Sequence, residues 1–339
     1  MRTAADELAR KLIFEGIAPQ AAVGVLSRSA MHVGGDVDTI FDLASLTKPA
    51  TALAIATLGL KGRLLGALVQ EARGTWSETT PLELLLAHRA GLSAHEKLYA
   101  PMLVDEPIDR VRAMNTAANA RRETDTSAPV YSDMGYVLAG EALARATRHQ
   151  DAGLAIAECV LSPLKLDGEL GTSRDLGLSS KLDRVAPTED VAWRGGVIRG
   201  LVHDENAWAL TGRGGSGHAG LFGTITGVLK FGRAALDLLM GQPSPLGTHD
   251  IDWMVKERPG GTLRAGFDGK SESGSSAGTV LGPRTFGHLG FTGTSVWIDP
   301  DQEVVVAILT NRVHPTRDNT KIRDARPWAH DELAKIGLR

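Results

Sequence analysis

The chain has 339 residues but a single cysteine, Cys159, so no disulfide can form within it and a reducing compartment is expected. No apolar run approaches the length of a membrane span, and the first residues form a charged amphipathic segment without the apolar core of a signal peptide. We therefore expect a cytoplasmic protein that does not bind membranes. The net charge of -3 supplies no basic field for nucleic acid, so that class of partner is not expected either.

Motifs for metals and cofactors are also missing. The histidines lack the spacing of a metal site, and no His-Glu-x-x-His segment occurs. The glycine-rich segment 212–223 lacks the Gly-Lys-Ser/Thr ending of a phosphate-binding loop. We expect neither a metal nor a cofactor. What the chain does have is 42% hydrophobic and 23% charged residues, a balance typical of globular proteins with a large core.

Strand signals lie at both ends of the chain and helical signals lie between them. The pattern predicts strands at 21–27, 39–43, 262–267, 288–299 and 303–311, with a glycine turn at 34–35 and a hairpin turn at 300–301. It predicts helices at 81–88, 105–120, 134–147, 152–161, 224–240 and 321–338. We predict an α/β fold of the α+β type: an antiparallel sheet from residues 1–75 and 224–339 flanked by terminal helices, a helical lobe at 76–223, and a cleft between them.

The segment Ser45-Leu-Thr-Lys48 is the most informative motif. It follows an apolar run and opens a predicted helix, where a serine and a lysine three residues apart share one face. A lysine in a dry pocket can lose its charge and take the serine proton, while the helix N-terminus offers N–H groups to an oxyanion. Ser162-Pro-Leu-Lys165 has the same spacing but no helix. At Ser45 itself, an N-capping serine beside a solvated lysine is the alternative interpretation.

Two further motifs carry side chains suited to the same chemistry. Tyr131, in Tyr131-Ser-Asp133, precedes a predicted helix, so its phenol can point into a cleft and move a proton, although a structural tyrosine is the alternative. His288 and Gly290 lie two residues apart on one face of a predicted strand, where Gly290 would let a substrate backbone approach. A similar His-Ala-Gly triplet begins at His218, which makes that residue a candidate for the cleft wall.

In the order Ser-x-x-Lys, Tyr-Ser-Asp and His-x-Gly, these motifs resemble the serine hydrolases of the class C β-lactamase and penicillin-binding protein superfamily. The resemblance is to the penicillin-binding-protein-4-like and esterase-like branches, and segments 41–49, 85–92, 202–207 and 217–223 extend it over about residues 20–315. It implies a β-lactamase/transpeptidase-like fold and acyl transfer through a serine. Together the three motifs are stronger evidence than any one of them.

The roles that the resemblance implies fall on matching positions. Ser45 would be the acylated nucleophile, and Lys48 with Tyr131 would activate it and return the proton, with the choice of general base left open. The backbone N–H groups of Ser45 and Phe291 would form the oxyanion hole. His288 would stand where many relatives have a lysine and would help to orient the substrate.

Two departures from the family pattern bear on the substrate. Asp133 replaces a common asparagine, which removes an amide donor for the substrate and adds a possible negative charge. No Lys-Thr-Gly occurs, so the cation that recognises a β-lactam or peptide carboxylate is missing unless an arginine or a protonated His288 replaces it.

We expect a metal-independent serine hydrolase that acts through an acyl-enzyme on a small ester or amide. A carboxylesterase ranks first, a D-amino-acid peptidase or D-Ala carboxypeptidase second and a β-lactamase third. A non-catalytic ligand-binding protein on the same fold is the alternative of another class. The sequence leaves the oligomeric state and the identity of the substrate open.

Overall fold

The structure is a computed structural model that describes residues 3–121 and 128–338. Its largest sheet is antiparallel and has six strands. Two smaller sheets have three and two strands. The strands, in chain order, are β1 (Ala21–Leu26), β2 (Met31–Gly35), β3 (Phe41–Asp42), β4 (Leu170–Thr172), β5 (Asp190–Val191), β6 (Gly196–Val197), β7 (Leu221–Gly223), β8 (Asp268–Gly269), β9 (Phe286–Leu289), β10 (Ser295–Asp299) and β11 (Val304–Thr310).

Helices cover the main sheet and fill the middle of the chain. They are α1 (Ala4–Phe14), α2 (Thr47–Thr57), α3 (Leu65–Leu68), α4 (Leu82–Leu86), α5 (Arg110–Asn119), α6 (Asp133–Thr147), α7 (Ala152–Ile156), α8 (Glu205–Thr211), α9 (Ile225–Leu239), α10 (Asp252–Val255) and α11 (Ile322–Gly337). A π-helical turn, Ala157–Leu161, follows α7. No helix within the described ranges is both long and apolar enough to cross a membrane.

The main sheet joins the two ends of the chain. Its strand order is β2-β1-β11-β10-β9-β8, so the first strand pairs antiparallel with the last, and Val23 lies opposite Ile308. Successive residues of β11 point to opposite faces: Val306 packs with α1 and α11, whereas Val305 packs with α9. Since both faces are covered, β11 is apolar throughout, as strands buried on both sides are. The predicted fold class, with its sheet from both chain ends, is confirmed.

Helix α2, which follows Ser45, runs through the core. Ten of its residues, Thr47 to Ala56, are buried, and the many alanines allow α6 and α7 to pack closely against it. Thr51 Oγ1 donates a 2.8 Å hydrogen bond to the Gly217 carbonyl, which ties the glycine-rich segment to the same helix. The start of α2 is therefore held from several sides. The predicted domain boundaries at 75 and 224 stay a prediction.

Three local predictions are wrong for identifiable reasons. Gly34 and Gly35 lie in β2 and not in a turn; Gly34 is required because a Cβ there would lie 2.2 Å from the Asp6 nitrogen of α1. Residues 262–267 form no strand, since the Arg264 N–H donates to the Phe267 carbonyl and closes a turn. The strand predicted at 288–299 is two strands, because the Gly290 N–H bonds the Thr294 carbonyl at 2.7 Å and closes a loop between them.

Candidate active site

Ser45 lies in a 3₁₀ turn, Ala44–Leu46, that leads directly into α2. The preceding Ala44 has a left-handed backbone with φ of +48°, which costs a non-glycine residue about 1–2 kcal/mol. The buried carboxylate of Asp42 accepts the Ala44 N–H at 2.8 Å and the His203 N–H at 2.7 Å. These bonds hold the strained turn, so the Ser45 hydroxyl is presented to the cleft from a fixed backbone.

Lys48 is fully buried one turn after Ser45 and uses all three of its protons. Its Nζ donates to Ser45 Oγ at 2.9 Å, to Asp133 Oδ1 at 2.8 Å and to the His218 carbonyl at 3.4 Å. Burial by itself opposes the charge, as the sequence argument expected, but the Asp133 carboxylate and the Tyr131 hydroxyl together raise the pKa of Lys48 above its ordinary value. Lys48 is therefore an ammonium in the resting site.

Tyr131 brings a phenol to the same point from the loop before α6. Its ring stacks on His88 with centroids 4.6 Å apart, and Lys48 Nζ lies 4.8 Å from the ring centroid. The residue is 37% exposed, so one side faces the cleft. Burial raises the pKa of the Tyr131 hydroxyl, while the positive charge of Lys48 opposes that rise. The structure thus brings together the hydroxyl, amine and phenol that the sequence predicted.

Asp133, the first residue of α6, is the ion-pair partner of Lys48. Its second oxygen, Oδ2, lies 3.8 Å from His95 Nδ1 at the cleft wall. Burial opposes the negative charge, but Lys48 and His95 hold the pKa of Asp133 well below its usual range. The sequence argument anticipated a negative charge here but did not connect it to Lys48, which is 85 residues away.

The two predicted histidines are buried beside the cavity and do not line it. His288, 4% exposed in β9, donates from Nδ1 to the Leu289 carbonyl at 2.8 Å. Burial, reinforced by the Lys48 charge, lowers the pKa of His288 to about 3, so its ring is neutral and cannot supply the missing cation. His218 bonds Asp204 Oδ1 at 2.8 Å through Nε2. Their contact with substrate stays a prediction, and this geometry favours a positioning role.

The turn after β9 carries the second predicted oxyanion donor. Gly290 and Phe291 line the cavity that contains Ser45, and the Phe291 ring is 48% exposed. Arg326 of α11 donates from Nη2 to the carbonyls of Gly290 at 2.9 Å and Thr294 at 2.8 Å. In a trans peptide the N–H of Phe291 points opposite to the Gly290 carbonyl, so Arg326 fixes the direction of that N–H. The oxyanion role of the Ser45 and Phe291 amides stays a prediction.

The cavity above Ser45 has a volume of about 550 Å³, enough for a small organic substrate. Its outer wall is charged: Arg317 pairs with Glu189 and Glu205, in each case at 2.6 Å. Arg323 also lines it, and its exposed guanidinium has no hydrogen bond or ion pair to any described residue. Within residues 3–121 and 128–338, no group of three or more His, Cys, Asp or Glu side chains could hold a metal ion.

His88 is a site residue that the sequence analysis did not single out. It lies under the Tyr131 ring, and its Nδ1 accepts the Ser132 N–H at 2.9 Å. Burial, with the nearby Lys48 charge, lowers the pKa of His88 to about 3, so the ring is a neutral acceptor. His88 lies in segment 85–92, which carries part of the family resemblance. Its place in that segment could have marked it as a site residue.

Comparisons with known proteins identify a family and several relatives. A family model described as beta-lactamase matches residues 6–327. A protein of Escherichia coli O157:H7 with the provisional name D-alanyl-D-alanine carboxypeptidase is 27% identical over 337 residues, covering 86% of this chain and 74% of that protein.

Solved structures share the fold. A class C beta-lactamase from Rhodobacter sphaeroides superposes with a TM-score of 0.70 at 16% identity, over 100% of both chains. EstCE1, described as a hydrolase with promiscuous acyltransferase activity, gives a TM-score of 0.69 at 18% identity, over 95% of this chain and 97% of that one. The family match over nearly the whole chain shows that this protein belongs to the beta-lactamase family of serine hydrolases.

Proposed function

We propose that this protein hydrolyses a small carboxylic ester through an acyl-enzyme formed on Ser45. The observation that carries the proposal is the 2.9 Å hydrogen bond from Lys48 Nζ to Ser45 Oγ at the base of an open cavity, with the Tyr131 ring 4.8 Å from the same Nζ. A serine needs a base within hydrogen-bond reach to become a nucleophile, and this arrangement supplies two candidates.

The reaction requires one proton to leave Ser45 and reach the leaving group. Ser45 Oγ attacks the carbonyl carbon while Lys48 as an amine, or Tyr131 as a phenolate, accepts the proton; the same group then protonates the departing alcohol. Water repeats the sequence on the acyl-enzyme and releases the acid. Because the pKa of each candidate base is raised in the resting site, acylation should become faster as the pH rises.

An ester is favoured over a β-lactam because of the two departures in the motifs. His288 is neutral and buried, so the third motif offers no fixed positive charge. Asp133 is engaged with Lys48 and has no amide donor for an acylamide side chain. An ester needs an oxyanion hole but no charged anchor, and its alcohol leaves more readily than an amine.

A D-amino-acid carboxypeptidase is the second candidate, because the cavity wall carries arginines. Among them, Arg323 has no side-chain hydrogen bond or ion pair to a described residue, so its guanidinium is available to pair with a terminal carboxylate. The provisional name of the Escherichia coli relative agrees with this alternative.

The test is active-site labelling followed by a substrate panel. A fluorophosphonate should add once to the intact protein, on Ser45, and Ser45→Ala should abolish both the adduct and turnover of p-nitrophenyl butyrate while circular dichroism is unchanged. Ser162→Ala, at the other Ser-x-x-Lys sequence, is the matched control and should keep both. A D-alanyl p-nitroanilide and nitrocefin rank the other substrates. Turnover that survives in Ser45→Ala contradicts the proposal, and no adduct together with no turnover favours the non-catalytic alternative.

A further inference from the structure

A second cavity, of about 670 Å³, lies away from Ser45 between the C-terminal end of α9, helix α10, the start of β9 and the β10–β11 turn. Its walls are mainly apolar and are formed by Leu239, Met240, Trp253, Val255, Phe286 and Pro300. It shares no lining residue with the cavity above Ser45. Along β9, Phe286 borders this cavity and Leu289 borders the catalytic one, about 10 Å further along the strand.

One buried charge faces this apolar space. Arg264 is only 6% exposed, and its guanidinium packs flat against Gly269, where a Cβ would lie 2.6 Å from Nε. Its side-chain nitrogens donate no hydrogen bond to any residue in 3–121 or 128–338. The single described carboxylate within 4 Å is that of Glu257, at 3.6 Å, on a side chain that is 85% exposed.

A guanidinium in this position is unusual in energetic terms. Burial lowers the pKa of Arg264, yet arginine keeps its proton in proteins, so the charge is present. A buried charge without hydrogen-bond partners is costly, and the loose contact with an exposed glutamate recovers little of that cost. Among the described residues, Glu257 at 3.6 Å is the ion-pair partner of this guanidinium, and the Asp268 carboxylate acts on it only through its charge.

We propose that this cavity binds a small amphipathic carboxylate, with its head group on Arg264 and its apolar body against Trp253 and Phe286. A carboxylate matches the forked donors of a guanidinium and would give Arg264 the hydrogen bonds that no described residue supplies. A hydrocarbon body gains by leaving water for the apolar walls. The site is independent of Ser45 and does not rest on the proposed hydrolase activity.

The probe is octanoate, titrated into the full chain by calorimetry and by tryptophan fluorescence. Saturable binding is expected, weakened about tenfold or more in Arg264→Gln, which removes a charge-assisted pair. Arg28→Gln is the matched control, since Arg28 pairs with Glu303 and does not line this cavity, and it should bind octanoate as the wild type does. Octanol, which lacks the charge, and acetate, which lacks the apolar body, should both bind more weakly.

Two further measurements test whether octanoate binds in this cavity and not in the catalytic one. Protein whose Ser45 has been blocked by a fluorophosphonate should bind octanoate unchanged; loss of binding there would place octanoate in the catalytic cavity and overturn the proposal. Equal affinity in Arg264→Gln would do the same. If Arg264→Gln does not fold, octanoate is compared with octylammonium on the wild type, where a preference for the anion of less than tenfold contradicts the site.

Discussion

At Lys48, burial and ion pairing act on one amine in opposite directions. Burial favours the neutral base, whereas Asp133 favours the ammonium, and the ammonium prevails at rest. The same carboxylate also contributes to the raised pKa of Tyr131. Asp133 thus favours the protonated forms of both candidate bases. The pH dependence of acylation should therefore change when the Asp133 charge is removed.

Asp133→Asn should move the alkaline rise of kcat/KM to lower pH. The Asp133 carboxylate raises the pKa of both Lys48 and Tyr131, so removing it should lower both values. Loss of a close ion pair should lower the pKa of Lys48 by about 1–3. The measurement is a pH–rate profile on p-nitrophenyl butyrate. Glu205→Gln, on the outer wall of the same cavity, is the control; an unshifted Asp133→Asn profile would contradict the assigned coupling.

Tyr131→Phe removes the hydroxyl but keeps the ring stacked on His88. If the phenol moves the proton, kcat should fall by about 10²–10⁴ with little change in KM or melting temperature. Steady-state kinetics measure this, with Tyr99→Phe as the control because Tyr99 lines the same cavity away from Lys48. Wild-type rates in Tyr131→Phe would remove the phenol from the mechanism.

At the scale of elements, the site depends on how the turn after β9 docks on the start of α2. Thr294 Oγ1 donates to the Leu43 carbonyl at 3.0 Å, and Thr292 Oγ1 donates to the Asp42 carbonyl at 2.7 Å. Arg326 of α11 holds the turn from the other side. Two segments that are about 250 residues apart in the chain thereby set the distance between the Ser45 and Phe291 amides.

Gly290→Ala should disturb this docking. A Cβ on Gly290 would lie 1.9 Å from Thr294 Oγ1 and 2.7 Å from the Leu43 carbonyl, so the turn must shift. We expect a loss of about 1–3 kcal/mol in the free energy of unfolding, together with a lower kcat. Urea unfolding and kinetics measure the two effects. Gly62→Ala, where a Cβ has no neighbour within 4 Å, is the control, and an equal response of both variants would contradict the argument.

At the scale of the whole molecule, three buried histidines are neutral, two of them beside Tyr131 and the third in α11. His88 lies beside the helical part of the site, His288 lies in the main sheet, and His330 lies in α11, where it contacts Ser295 Oγ at 2.9 Å. Burial is the main cause of the lowered pKa in each, to about 3 for the first two and about 4 for His330. The unfolded chain, with an ordinary pKa of about 6.5, binds more protons below that pH.

The protein should therefore lose stability as the pH falls from about 6.5 toward 4. The histidine contribution is fully present above the unfolded pKa and decreases toward the folded values, by about 1 kcal/mol for each group between pH 6.5 and 5.5. Urea unfolding at pH 7.5, 6.5 and 5.5 measures it. His330→Gln should reduce this dependence by about a third, whereas His32→Gln, at an exposed position in β2, should not; a flat profile in the wild type would contradict the prediction.

Much of the frame and part of the site could be predicted from the sequence. Local apolar patterns predict the fold class, the sheet from both chain ends and the 300–301 hairpin. They do so because the spacing of apolar residues follows the backbone geometry of helices and strands. Ser45 and Lys48 meet because three residues of helix bring them to one face. The prediction at Gly34 was wrong because α1, distant in sequence, packs against it, and the prediction at 262–267 was wrong because the chain closes a local turn there.

The sequence by itself determined the family and the pairing of a serine with a lysine, since both depend on short spacings along the backbone. Only the tertiary structure decided the charge states: Lys48 is protonated because Asp133 reaches it from α6, and His288 is neutral because β9 buries it. It alone also decided that Arg264 faces a second cavity with Glu257, at 3.6 Å, as its ion-pair partner. The physical reason is that the burial of a group and the electrostatic field on it depend on neighbours from distant parts of the chain. A local sequence pattern does not specify those neighbours.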